Sequence, residues 1–117
     1  MKENIIKTKS FDFALRIVKL YQYLVDTKKE FVLSKQLLRS GTAIGALVRE
    51  SEHAESKADF IHKLSISLKE ANETDYWIEL LHKANYLEEK EFISLKRDLE
   101  ENLKLLVSII KSSKGNK

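Results

Sequence analysis

The chain is 117 residues long, the usual size of one domain, and carries no cysteine, no proline and only three glycines. That composition excludes a disulfide framework and thiolate metal ligation. It also denies a β-sandwich or barrel the turn residues its short connections need, so an all-α fold is expected. The 21 Lys and Arg against 18 Asp and Glu leave a formal charge of +3, so bulk charge argues only weakly for a polyanion partner and the placement of the cations decides.

The first helix is predicted over about residues 11–28, with Ser10 as its N-cap. It carries two apolar stripes, Phe11, Leu15, Val18 and Val25 on one and Phe13, Ile17, Leu20 and Leu24 on the other. Together these are wider than one bundle core requires and leave a surface for a partner. The second helix is predicted to start near Ser34 and to bury Leu37, Gly41, Ile44 and Val48. Its centre, Ser40-Gly41-Thr42-Ala43 followed by Gly45-Ala46, is costly, because an interior glycine loses about 1 kcal/mol relative to alanine. Such a cost points to close approach of a neighbouring helix.

The third helix has the clearest start, Ser56-Lys57-Ala58-Asp59, with a capping hydroxyl three residues before a carboxylate that suits the positive end of the helix dipole. Its inward stripe is Ile61, Leu64, Leu68, Ala71 and Ile78, and Asn85, which tolerates a left-handed conformation, is its expected stop. Glu88, Glu89 and Glu91 open the fourth helix, whose seam is Phe92, Leu95, Leu99, Leu106 and Ile110. The polar, positive stretch 111–117 is expected to fray, giving one domain over 1–117 with an ordered core at about 11–111. Short connections predict an antiparallel up-down-up-down four-helix bundle. No segment approaches about 18 uninterrupted apolar residues, and the N-terminal residues lack a long apolar core, so a cytoplasmic protein with no membrane segment is expected.

Two Glu-x-x-His matches, Glu50 with His53 and Glu79 with His82, have the spacing used by di-iron bundles. That template also needs an inward glutamate from each remaining helix, and the predicted first helix has none. With a turn near residue 56, the two motifs also fall on the order of 25 Å apart along antiparallel helices. No metal and no cofactor are therefore expected. His53, His62 and His82 lack the context of a hydrolytic triad, so no catalytic residue is assigned and the chain is expected not to be an enzyme. Arg39 beside the small-residue segment, and Glu70, Glu73, Trp77 and Leu80 on one stripe of the third helix, suggest a buried or interfacial Arg39–carboxylate pair that fixes helix register, the alternative being exposed charges. For a polyanion the chosen cations are Arg16 and Lys19 on the first helix and Lys96, Arg97 and Lys104 on the fourth. Lys7, Lys9, Lys28, Lys29, Lys111 and Lys114 are further basic positions, and the alternative for all of them is a solvated face.

The run Leu33-Ser34-Lys35-Gln36-Leu37-Leu38-Arg39-Ser40-Gly41-Thr42-Ala43-Ile44-Gly45, together with the segment from Phe60 to Leu81, resembles a known four-helix-bundle family. Its members include proteins encoded in intervening sequences of bacterial large-subunit ribosomal RNA genes. The fold is similar to that of the accessory variability determinant of diversity-generating retroelements. The resemblance runs from about Phe11 to Ile110. It implies a bundle assembling as a homopentameric barrel, with nucleic-acid association in the retroelement relatives and no established enzymatic activity. Gln36, Arg39, Ile44 and Glu50 of the second helix, and Phe60, Leu64, Glu70 and Glu73 of the third, match its framework and assembly positions, to which Gly41, Leu47 and Trp77 are added as structural candidates. Leu47 stands where the family usually places an asparagine, and Gly45 where many relatives have proline. A leucine there is expected to enlarge an apolar contact between subunits.

The resulting expectation is a non-enzymatic homo-oligomer, a pentamer by resemblance, that binds RNA or DNA through basic surfaces. The competing expectation is a structural adaptor that recruits a protein partner through the surplus apolar surface of the first or second helix.

Overall fold

The computed structural model describes residues 1–115, which form four helices: α1 (Lys2–Asp26), α2 (Leu33–Ser51), α3 (Lys57–Lys83) and α4 (Glu89–Gly115). Each helix packs on the next and α4 closes onto α1, giving an antiparallel up-down-up-down bundle of 49 × 22 × 19 Å. The core is a single apolar cluster to which every helix contributes: Phe13, Ile17 and Leu24 from α1, Leu37 and Ile44 from α2, Leu64 and Ile78 from α3, Leu95, Leu99 and Leu106 from α4.

The expected ends of α3 are observed. Ser56 Oγ accepts the N–H of Asp59 at 3.0 Å, and Asn85 adopts φ = 70°. Around that left-handed residue the Tyr86 N–H reaches the Leu81 carbonyl at 2.9 Å and the Asn85 N–H reaches the His82 carbonyl at 3.0 Å, which satisfies carbonyls the helix end would otherwise leave unpaired.

Both bundle termini depart from expectation. α1 begins at Lys2, and Ser10, expected to be its N-cap, is a buried interior residue whose hydroxyl donates to the Lys7 carbonyl. The reason lies one turn earlier: Ile6 falls seven residues before Phe13, on the same face, and is buried in the core. α4 likewise runs helical through Gly115, past the expected end of the core near Lys111; the last two residues of that expected tail lie outside the described residues.

The seams that flank α2 are tight. A Cβ built on Gly41 would sit 2.8 Å from Ile17 Cγ1, and one on Gly45 would sit 3.2 Å from the Ser10 carbonyl oxygen, so the glycines mark where α1 lies against α2. On the other side of α2, Ser67 Oγ donates to the Ile44 carbonyl at 2.9 Å, and the Thr74 and Ser40 hydroxyls are hydrogen-bonded at 2.9 Å, all three side chains being buried.

α2 starts at Leu33, next to the expected Ser34. Glu30, in the α1–α2 turn next to Lys29 at φ = 56°, caps it. Its carboxylate accepts the N–H groups of Ser34 at 2.7 Å, Leu33 at 2.8 Å and Val32 at 3.1 Å, while the Ser34 hydroxyl donates back to the Glu30 carbonyl at 2.8 Å. Burial opposes charge on Glu30, but the three N–H donors outweigh it and hold the carboxyl below its ordinary value.

Candidate nucleic-acid interface and apolar face

The outward face of α4 carries Lys90, Arg97, Lys104 and Lys111 at uniform seven-residue intervals. All four are exposed, and none makes an ion pair or hydrogen bond with the described residues. Seven residues advance about 10 Å along a helix and return nearly to the same azimuth, so the four cations form one linear ridge. Between Arg97 and Lys104 stand Asp98, paired with Arg16, Glu101, paired with Lys9, and exposed Glu100.

The sequence-predicted cations divide on the structure. Arg97 and Lys104 belong to the ridge, and Lys19 is exposed on α1 beside an open cavity of about 560 Å³ that Arg16, Tyr23, Leu87 and Glu91 also line. Arg16 and Lys96, by contrast, are spent on the fold. Arg16 bridges α1 to α4, donating to Asp98 at 2.7 Å, Glu91 at 3.1 Å and Ser94 at 3.1 Å. Burial lowers its pKa, but those carboxylate contacts more than compensate and raise it. Lys96 bridges α4 to α3 through Asp75 at 2.5 Å and Glu79 at 3.3 Å, and the same balance, burial against two carboxylates, raises its pKa. Lys7 and Lys9 are likewise matched, by Glu52 and Glu101. The ridge is visible in the sequence as a repeat of seven, to which Lys90 adds a fourth member beside the expected Arg97, Lys104 and Lys111.

A second surface is apolar. Phe11, Leu15 and Val18 of α1 are 49%, 48% and 36% exposed, so the expected surplus stripe does stand outside the core. Beside it runs a shallow groove of about 280 Å³ between α1 and α2, floored by Ala14, Thr42, Gly45 and Ala46 and rimmed by Lys7 and Arg49. The Arg49 guanidinium lies 5.2 Å from the Phe11 ring centroid, a contact the sequence reading missed.

The expected structural positions fall into three groups. Gly41 and Ile44 are buried in the bundle, with Glu70, Trp77 and Leu47 half-buried. Gln36 and Arg39 are exposed, and the buried form of the expected Arg39–carboxylate pair does not occur within the chain among the described residues. The inward positions of α2 are taken by Leu37, Ser40 and Gly41, leaving Arg39 to project outward, and Glu73 instead accepts the Trp77 Nε1–H at 2.9 Å. Glu50 pairs with Lys63 at 3.0 Å. Of the other Glu-x-x-His residues, Glu79 binds Lys96, His53 is exposed, and His82 stacks on Phe92 at 3.9 Å and contacts Glu89 at 2.8 Å. Among the described residues no three His, Asp or Glu side chains gather as metal ligands, and no helix is long and apolar enough to cross a membrane.

The family model described as 23S rRNA-intervening sequence protein matches residues 2–108. The chain belongs to that family. The match begins at the first residue of α1, in keeping with the early start of that helix. Five solved chains match significantly. One is a 1.70 Å crystal structure of a protein with unknown function from the S23 ribosomal protein family of Bacteroides thetaiotaomicron VPI-5482, 58% identical, with a TM-score of 0.94 over 95% of this chain and 99% of that one. No curated protein matches the chain. The family and the four-helix fold are thus established, and the family relative of known structure is itself described as being of unknown function.

Proposed function

We propose that this protein is a non-enzymatic, homo-oligomeric helical scaffold that binds nucleic acid through the α4 ridge. The observation that carries the reading is the row of four exposed cations, Lys90, Arg97, Lys104 and Lys111, that the fold leaves unneutralised while pairing Arg16, Lys96, Lys7 and Lys9 internally. Contacts from such a ridge fall on phosphates, so binding is insensitive to sequence and steeply sensitive to salt. Assembly of copies, pentameric as the family resemblance implies, repeats the ridge around an axis and concentrates its field. The exposed Phe11, Leu15 and Val18 supply apolar surface for that assembly, and Leu47 and Arg39 are its further contacts on α2.

The test is fluorescence anisotropy with short RNA, duplex DNA and single-stranded DNA across a salt series, alongside mass measurement by light scattering. A duplex spanning the ridge is expected to give a log–log salt slope of about 3 to 4, one unit for each phosphate contacted. Reversing Arg97 and Lys104 to Glu should remove most of the affinity; wild-type affinity in that variant defeats the ridge. A monomeric mass with nuclease-insensitive capture of another protein through Phe11 and Leu15 moves the assignment to the adaptor reading, for which the same apolar stripe is the support.

A further inference from the structure

The turn between α1 and α2 closes one end of the bundle and exposes two adjacent apolar side chains, Phe31 at 53% and Val32 at 71%. Neither belongs to the core or packs against it, whereas the next residue, Leu33, does. Connections between helices are ordinarily built from small and polar residues, so a neighbouring pair of large apolar side chains there stands out. Lys28, Lys29 and Lys35 flank the pair; all three are exposed, and none has an ion-pair or hydrogen-bond partner among the described residues. Of the two acidic residues in this stretch, Glu30 is buried with its carboxylate committed to the first N–H groups of α2, and Asp26 is the last residue of α1.

The turn is also held in one shape. The Glu30 N–H donates to the Leu24 carbonyl at 2.9 Å, and the Glu30 carboxylate accepts the N–H groups of Val32, Leu33 and Ser34. Lys29 occupies the left-handed region at φ = 56°, which a lysine adopts only where its surroundings impose it. These bonds fix the backbone on both sides of Phe31, so the apolar pair is kept in solvent and does not fold back onto the core.

Composition and position decide what such a tip fits. Two apolar side chains among lysines, at the end of a bundle 49 Å long, match the boundary of an anionic bilayer, where acyl chains receive the apolar groups and headgroup phosphates receive the ammonium groups. A nucleic acid is a poorer match, because Val32 offers no aromatic face for a base and the row of cations suited to a phosphate backbone runs along α4. Among the described residues no helix can cross a membrane, so the contact is one of surface docking.

We infer that the α1–α2 turn is a membrane-contact tip that docks one end of the bundle on an anionic phospholipid surface, with Phe31 and Val32 inserted and Lys28, Lys29 and Lys35 on the headgroup phosphates. The tip lies at the end of the bundle and the α4 ridge along its side, so this contact stands or falls separately from nucleic-acid binding.

The experiment sediments the full chain with vesicles of mixed phosphatidylglycerol and phosphatidylcholine, and with vesicles of phosphatidylcholine alone. Wild type should bind the anionic vesicles and leave the neutral ones. Replacing Phe31 and Val32 together by Ser should weaken binding on the order of ten-fold while the thermal midpoint holds, since neither side chain touches the core. Lys28→Gln, Lys29→Gln and Lys35→Gln should each weaken it about five-fold. Reversing Arg97 and Lys104 to Glu, the change aimed at nucleic-acid binding, should leave vesicle binding within about two-fold, because charges beyond a Debye length are screened. Insertion is read from Phe31→Trp, whose added emission should move to shorter wavelength on anionic vesicles while that of wild type, from Trp77, does not. Failure of wild type to bind phosphatidylglycerol vesicles overturns the inference. Undiminished binding by the Phe31 and Val32 variant overturns it too, since lysine charge alone would then suffice, and loss of vesicle binding in the ridge variant moves the contact to α4. A mass that falls in light scattering when Phe31 and Val32 are replaced, with no vesicle binding by wild type, assigns the tip to a contact between copies and likewise overturns it.

Discussion

The two seams flanking α2 and the seam between α1 and α4 are built on opposite principles. Around α2 the contact is made by what is missing: Gly41 and Gly45 carry no side chain, Ser40, Ser67 and Thr74 carry small hydroxyls, and the backbones come close enough for Ser67 to bond a carbonyl of its neighbour. Between α1 and α4 long charged side chains span the gap, Lys9 to Glu101 and Arg16 to Asp98 and Glu91, and two cavities open beside them. Small residues permit interpenetration and dense packing, whereas ion pairs hold helices at the length of their side chains. The seams of α2 therefore close through small residues, with the Lys7–Glu52 and Lys63–Glu50 pairs only at their edges, whereas the α1–α4 seam is bridged along its length by longer charged side chains.

The largest expected effect breaks the tight side. Gly41→Leu drives a side chain into Ile17 and should destabilise by about 3 kcal/mol, measured by urea denaturation, the upper part of the range for overpacked cores. Next is the cap of α2. Glu30→Gln removes charge from a carboxylate that accepts three N–H groups and should cost about 1 kcal/mol at neutral pH. Because the folded pKa of Glu30 is depressed, its contribution is fully present above the unfolded value near 4.5 and is lost as pH falls through the lower folded value. Wild type and Glu30→Gln should therefore converge in stability once pH has fallen through that depressed folded value, and a gap that persists in acid would show that the charge is not what caps the helix.

The charged seam should respond more weakly. Arg16→Gln is expected to cost about 1 kcal/mol, shrinking in high salt, since its side chain is 29% exposed and screened on the open side. A salt-independent loss would mean that Arg16 acts through packing instead. Smallest of all, Lys104→Glu on the ridge should leave stability within about 0.5 kcal/mol, because it has no partner among the described residues to lose. Any larger change would place Lys104 in the fold and remove it from the set available for phosphate.

Much of the bundle was legible from pattern alone. The cap at Ser56, the left-handed stop at Asn85 and the seam of α4 rest on local stereochemistry and on a helical period, both written in adjacent residues. The small-residue centre of α2 likewise announced close approach, because interior glycines carry a cost that only a tertiary contact offsets. The start of α1 was misplaced because Ser10 has the chemistry of a cap; only its position opposite Gly45 shows that it is a small residue in a helix crossing. The start of α2 near Ser34 was legible, but its cap was not, since Glu30 reaches the first N–H groups from the preceding turn.

What the sequence by itself determined is the class, the order of the helices and their inward faces, since amphipathic period and capping chemistry act over a turn or two of chain. The family resemblance could also be read there, from two contiguous segments. Only the tertiary structure decided which charges remain available. Arg16 and Arg97 are alike as letters, yet one lies across from Asp98 and Glu91 and the other faces solvent, because pairing depends on which residues of α1 and α4 the packed core brings opposite each other.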